Sequence, residues 1–321
     1  MKISAFLTLI LFIFTACDSS KKEDGFVLKF GHLASEDNTW HKAALKFKAL
    51  VEERTQGKVQ VKIYPNSQLG KEMDLINSIQ LGTADMTITG ESLQNWAPEA
   101  ALLAVPYAFE SSEEMRHAAS SPAADKISSQ ITAKTGLVPL AWFERGPRYL
   151  TSNVPVSKLE DLKGVKIRVP NVPLFLKFWE ELGAKPTPMA FSEVFTSLQQ
   201  NTIDAQENPL SLIDSASFSE VQKCVNLTAH VRSWIYVVIG KEKLESMPAD
   251  LQKIVQDAAS EMQAYENELF KEEEKRLRKK LEEAGMKFNE VQLQEFAAKG
   301  KKAVMEALTE DQRTLLEQLK N

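Results

Sequence analysis

Cysteine is scarce in this chain of 321 residues: there are 2, Cys17 and Cys224. No CxxC pair is present, which excludes a multi-disulfide framework and a zinc-ribbon site. The 4 histidines (His32, His41, His117 and His230) lack the spacing of metal ligands, and HExxH is absent, so no metal is expected. GxGxxG, GxxxxGK[ST] and GxSxG are missing too, so no cofactor and no enzymatic role are expected. Positive charge is not in excess: 39 Lys and Arg stand against 44 Asp and Glu, a net charge of −5. That balance argues against nonspecific nucleic-acid binding, which needs clustered cations to displace phosphate counterions. What remains is the composition of a soluble globular protein, long enough for two domains or one large one.

Long apolar runs are also rare, and the one that stands out opens the chain. Lys2 precedes an apolar stretch over Ile3–Phe14, then small Thr15 and Ala16, then Cys17. A stretch of roughly 7–15 apolar residues suits a secretory leader, whereas a spanning helix needs about 20. Residues 1–16 are therefore expected to be a signal peptide. Phe14-Thr15-Ala16-Cys17 resembles a bacterial lipobox, which would make Cys17 a lipidated mature N-terminus; conventional cleavage after Ala16 is the other reading. Residues 17–25 are polar and suit a tether, holding an extracytoplasmic body at a membrane surface. Cys224 would then be a lone, buried and inert thiol.

Beyond residue 25, strand and helix patterns alternate to about residue 240, which is the mark of an α/β protein. Residues 26–33 read as a strand, and Trp40, Ala43, Ala44, Phe47, Leu50 and Val51 form a helical stripe stopped near Gly57. Residues 61–66 (VKIYPN) and 166–171 (KIRVPN) each lead through helical sequence to a Thr-x-Asp turn, at Asp85 and Asp204 respectively. The spacings differ, so this is no repeat, but it suggests two lobes built alike with a ligand cleft between them. Residues 249–283 carry a long, charged helical pattern, in which Glu272–Arg276 and Glu274–Arg278 are expected to pair on a solvated face.

The chemistry-bearing feature is arginine on strand-like segments. In residues 164–171, Lys166 and Arg168 alternate with apolar positions, and Arg148 begins another extended segment. Such arginines can simply face solvent. In a cleft, a guanidinium offers a rigid donor fork that matches a carboxylate. Asn208, after a strand and before Pro209, could serve the same anion or be only a turn residue.

The segments RYLTSN, LEDLKGVKIRVPN and PTPMAFSEVFTSLQQNTIDAQENPL follow in order over residues 148–213, with GHLASEDNTWHKAALKF and YPNSQLGKEMDLINSIQLGTADM upstream. Together they resemble the DctP-type substrate-binding receptors of tripartite ATP-independent periplasmic (TRAP) transporters. The resemblance implies two α/β lobes, 26–145 plus 234–273 and 146–233 plus 274–321, joined by strands and one long helix. It implies a monomer that carries a small organic acid to the membrane subunits of a TRAP transporter, with Arg168 as the main carboxylate ligand. Arg148 matches a second arginine of the family, Asn208 and Asn171 its asparagines, and Phe191 its aromatic. Glu91 matches a position that contacts the rest of the ligand. Leu33, Lys71 and a shortened segment after Glu91 depart from the sialic-acid branch. His32, Glu144, Arg145 and Trp234 are expected to supply polar contacts and a stacking face, favouring a sugar acid (uronate or aldonate). A C4-dicarboxylate, its second carboxylate held by Arg148 or Arg145, is the alternative; a secreted hydrolase and a structural lipoprotein are alternatives of another class.

Overall fold

The computed structural model describes residues 25–321. The leader, Cys17 and all but the last residue of the tether lie outside the described residues.

The first lobe opens with β1 (Phe26–Gly31), α1 (Thr39–Arg54), β2 (Val59–Tyr64), α2 (Glu72–Gln80) and β3 (Met86–Thr89). Short 3-10 helices at Glu91–Asn95 and Pro98–Ala104 lead to α3 (Ser112–Ala119), α4 (Pro122–Thr135) and β4 (Leu137–Glu144). The second lobe takes β5 (Arg148–Ser152), β6 (Lys166–Val169), α5 (Pro173–Glu181), β7 (Lys185–Pro188), α6 (Val194–Gln199), β8 (Ala205–Pro209), α7 (Leu210–Ser215) and β9 (Cys224–Val231). The chain then returns through β10 (Trp234–Gly240), α8 (Lys241–Glu245) and α9 (Ala249–Glu283), and ends with β11 (Lys287–Asn289), α10 (Leu293–Ala307) and α11 (Glu310–Lys320). Among the described residues no helix is long and apolar enough to cross a membrane.

Two sheets result. The first runs β2-β1-β3-β10-β4, with β1 parallel to β2 and β3, and β10 antiparallel to its neighbours. The second runs β11-β9-β5-β8-β6-β7, with β6 parallel to β7 and β8. Pro186 and Pro188 fall on β7, an edge strand, where a missing N–H costs no ladder bond.

The likeness of the two lobes extends to a shared anchoring device. Asp85 accepts from the backbone N–H of Lys29 at 2.7 Å and donates its own to Lys29 O; Asp204 does the same to Lys166, at 2.9 Å. Each carboxylate thus pins the turn before one strand to the strand beside it. The second lobe differs by inserting β7 and α6 between its helix and its aspartate, which accounts for the longer spacing.

All six apolar residues of the expected α1 stripe are buried, and Asn38 caps the helix by accepting from Trp40 N at 3.0 Å. Helix α9 has 35 residues, about 52 Å at 1.5 Å each. Its buried stripe first packs with α1 in the core of the first lobe, through Leu251, Val255, Ala258 and Met262. Leu277 and Leu281 then enter the core of the second lobe. The expected ion pairs on this helix do not form. Glu272 pairs with Lys275, Arg278 pairs with Glu282, and Glu274 turns inward against Gly146. The tail also divides: α10 packs on α5, but α11 packs on α3 and α4 of the first lobe, where Gln312 donates to Pro98 O at 2.7 Å. The reason is the apolar stripe Leu315, Leu316 and Leu319, which is buried in that core.

Candidate functional site

The carboxyl ends of β6 and β8 and the start of β5 face the first lobe across a cleft, the usual ligand position in open α/β sheets. An outer cavity of about 360 Å³ is lined by Arg168, Asn171, Phe191 and Glu193 from one lobe and Leu33, Lys71, Glu72 and Ser92 from the other. A narrow inner chamber of about 30 Å³ shares Arg168 and Glu72 with it, and adds Glu91, Arg145, Arg148 and Asn208.

Arg168 is buried, yet among the described residues no carboxylate pairs with it directly. Its Nε and Nη2 donate to the carbonyl of Met189 at 2.9 and 2.7 Å, and the Phe191 ring lies 5.9 Å from its Cζ. A guanidinium has five N–H donors, so three are left for a ligand. Burial disfavours the charge and pushes the guanidinium pKa down to about 10.

The other two arginines are already neutralised. Arg148 clasps Glu207 through Nε at 2.5 Å and Nη2 at 2.7 Å, and His230 Nε2 reaches the same carboxylate at 2.9 Å. Burial works against this carboxylate, but Arg148 and His230 outweigh it and hold the Glu207 pKa at about 2. Arg145 Nη2 lies 2.8 and 2.7 Å from the two oxygens of Glu91, while Arg148 Nη1 stands 3.7 Å away from it. Despite burial, these two guanidiniums keep Glu91 below the usual carboxylate range. Asn208 donates to Gln206 at 2.7 Å.

Seven of the ten expected site residues therefore line the cleft: Arg168, Arg148, Asn208, Asn171, Phe191, Glu91 and Arg145. Three do not. His32 is buried against His41, 3.2 Å away, and burial with that neighbour drives its pKa down to about 3. Glu144 turns away to Arg116 at 2.9 Å. Trp234 is fully buried beside Phe109 and offers no stacking face to a ligand. In each case the next residue in sequence (Leu33, Arg145 or Ile235) lines the cleft instead. Adjacent residues of an extended chain point to opposite faces, so an error of one position inverts the assignment. Sequence reasoning also missed Glu207, Glu72 and Ser92. The signal for Glu207 was present, because an arginine on a buried strand needs a counter-charge and Gln206-Glu207-Asn208 carries the acid beside it.

Several bonds join the lobes over the cleft. Lys71 Nζ meets Glu193 Oε1 at 2.7 Å at the cavity mouth, and Asn95 Nδ2 donates to Asn171 O at 2.8 Å. Cys224 is a buried free thiol, and His230 bonds Thr228 and Glu207.

A family model described as bacterial extracellular solute-binding protein, family 7, matches residues 30–311. A solute-binding protein of Roseobacter denitrificans is 54% identical over 292 residues, covering 91% of this chain and 90% of its own length. A crystal structure of a TRAP periplasmic solute binding protein from that organism, with L-galactonate bound, has a TM-score of 0.91 and 53% identity, covering 93% of this chain and 99% of that one. The 2,3-diketo-L-gulonate-binding periplasmic protein of Escherichia coli is 36% identical, over 81% of this chain and 79% of its own.

Proposed function

Because this chain belongs to the bacterial extracellular solute-binding proteins of family 7, we propose that it is a sugar-acid receptor serving a TRAP transporter, with a six-carbon aldonate or uronate as ligand. The observation that carries this reading is the buried Arg168, a guanidinium with donors to spare and no carboxylate of its own. A ligand carboxylate supplies the missing counter-charge through charge-assisted bonds. Asn171, Phe191 and Asn208 shape the same end of the cleft, while Glu91, Arg145 and Ser92 offer partners to ligand hydroxyls. The L-galactonate of the Roseobacter relative is a ligand of this chemistry.

The lobes close over the anion and exclude water, and the membrane subunits recognise the closed shape. A monomer suffices for this cycle. Anchoring through a lipid on Cys17 rests on the lipobox-like sequence alone; metabolic labelling with palmitate, lost in Cys17→Ser, tests it.

The function is tested by a thermal-shift screen of the purified chain against aldonates, uronates and C4-dicarboxylates, since a ligand of the native state raises the melting temperature. The largest shift is expected with an aldonate or uronate. A shift confined to C4-dicarboxylates would overturn the sugar-acid reading, and product appearing in the incubation would point to a hydrolase.

A further inference from the structure

The cleft holds three buried guanidiniums, and two of them are cancelled from within. Arg148 belongs to Glu207 and Arg145 to Glu91, and the lysine at the mouth, Lys71, belongs to Glu193. The remaining acids of the outer cavity are Asp74 and Glu72, and Glu72 accepts from Thr89 at 2.7 Å. Burial raises the Glu72 pKa, and neither Glu72 nor Asp74 bonds Arg168, whose hydrogen bonds go to Met189 O. Among the described residues, Arg168 is therefore the guanidinium of the cleft that no carboxylate bonds. A single ligand carboxylate gives that guanidinium a partner. A second would enter a buried chamber whose cations are all taken, and would stand beside the Glu91 carboxylate.

We infer that Glu91 is a specificity-determining residue that, by occupying Arg145 and facing Arg148, tunes the cleft to monoanions and excludes ligands with a carboxylate at both ends. This rests on the sugar-acid reading above and sharpens it. Glu91 is suited to the task by its position. It begins the 3-10 helix after β3, on the lobe opposite Arg168, and its carboxylate is buried between the two arginines. Ser233 also contacts Arg145, at 2.9 and 3.2 Å, so the guanidinium stays in place when the carboxylate is removed. Replacing Glu91 by the isosteric amide then frees a held cation for a second carboxylate, an exclusion device turned into a binding one.

The test uses calorimetric titration of the full mature chain with L-galactonate and with galactarate, a six-carbon chain acid at both ends. Wild type is expected to bind L-galactonate and reject galactarate. Glu91→Gln is expected to gain at least about tenfold in absolute affinity for galactarate. Glu91→Asp, which keeps the charge, is expected to show no such gain. Loss of a hydroxyl contact alone could weaken L-galactonate binding, but it could not tighten galactarate. No gain in Glu91→Gln, or an equal gain in Glu91→Asp, would overturn the inference while leaving the sugar-acid reading intact. Wild type that binds galactarate as tightly as L-galactonate would also overturn the inference, whereas wild type that binds neither and shows no shift with any aldonate or uronate would overturn the sugar-acid reading, and the charge selector with it.

Discussion

Truncating Arg168 to alanine should separate binding from stability. Two of its N–H groups bond the Met189 carbonyl, and the remaining three can give a carboxylate two charge-assisted hydrogen bonds. At about 1.5–3 kcal/mol each, their loss costs about 3 kcal/mol or more. That is a factor of roughly a hundred or more in Kd. With ligand at about 1,000 times the wild-type Kd, binding adds about 4 kcal/mol to stability; a hundredfold weaker site keeps only about 1.4 kcal/mol. The ligand-induced rise in melting temperature should therefore shrink by about two-thirds or more in a fluorimetric melt. The unliganded variant should behave differently. Arg168 is buried without an ion-pair partner, so truncation removes a charge the fold disfavours and strands no buried carboxylate. Its melting temperature should stay well above that of Arg148→Ala. An undiminished ligand shift, or an unliganded variant as unstable as Arg148→Ala, would refute the assignment of Arg168 as the carboxylate ligand.

Arg148→Ala leaves Glu207 as an uncompensated buried carboxylate and should destabilise the unliganded protein by about 3–5 kcal/mol in urea unfolding. Since the folded pKa of Glu207 is depressed to about 2 from an ordinary 4.5, its contribution is full above about pH 4.5 and drains away as pH falls toward 2. Acid unfolding of wild type should steepen over that window, and of Glu207→Gln should not. Glu266, fully buried on α9 and bonded to Thr39, has the opposite sign: burial raises its pKa to about 8, so stability falls as pH rises from about 4.5 to 8. Glu266→Gln should flatten that slope in melts taken across the range; an unchanged slope would remove Glu266 as its source. Lys71→Ala breaks a half-exposed bridge between the lobes and should speed ligand release by no more than about fivefold in stopped-flow fluorescence. A release rate equal to that of wild type would mean that the bridge does not hold the cleft shut.

Much of this molecule was legible in its linear pattern, because each legible feature is local. The stripe of α1, the span of α9 and the turns at Asp85 and Asp204 depend on residues a few positions apart, and periodicity reports them directly. The motif around Arg168 and Asn171 was legible for another reason, its resemblance to a family of receptors, to which the chain belongs. What failed was the direction of single side chains. His32, Glu144 and Trp234 were each one residue from a position that lines the cleft, and parity at a strand end shifts with a single bulge or bend. Glu274 was read as a solvated partner for Arg278, yet the chain crossing between the lobes at Gly146 covers it.

The sequence by itself determined the α/β class, the long helix α9 and the presence of strand-borne arginines, because local backbone preferences and apolar spacing are written along the chain. The tertiary structure alone decided which arginine is free. Arg145, Arg148 and Arg168 have the same side chain with the same unperturbed charge. Glu91 and Glu207 meet two of them across distances of 54 and 59 residues, and Arg168 is left facing a backbone carbonyl. Counter-ion pairing depends on distance in space, and no spacing along the chain encodes it.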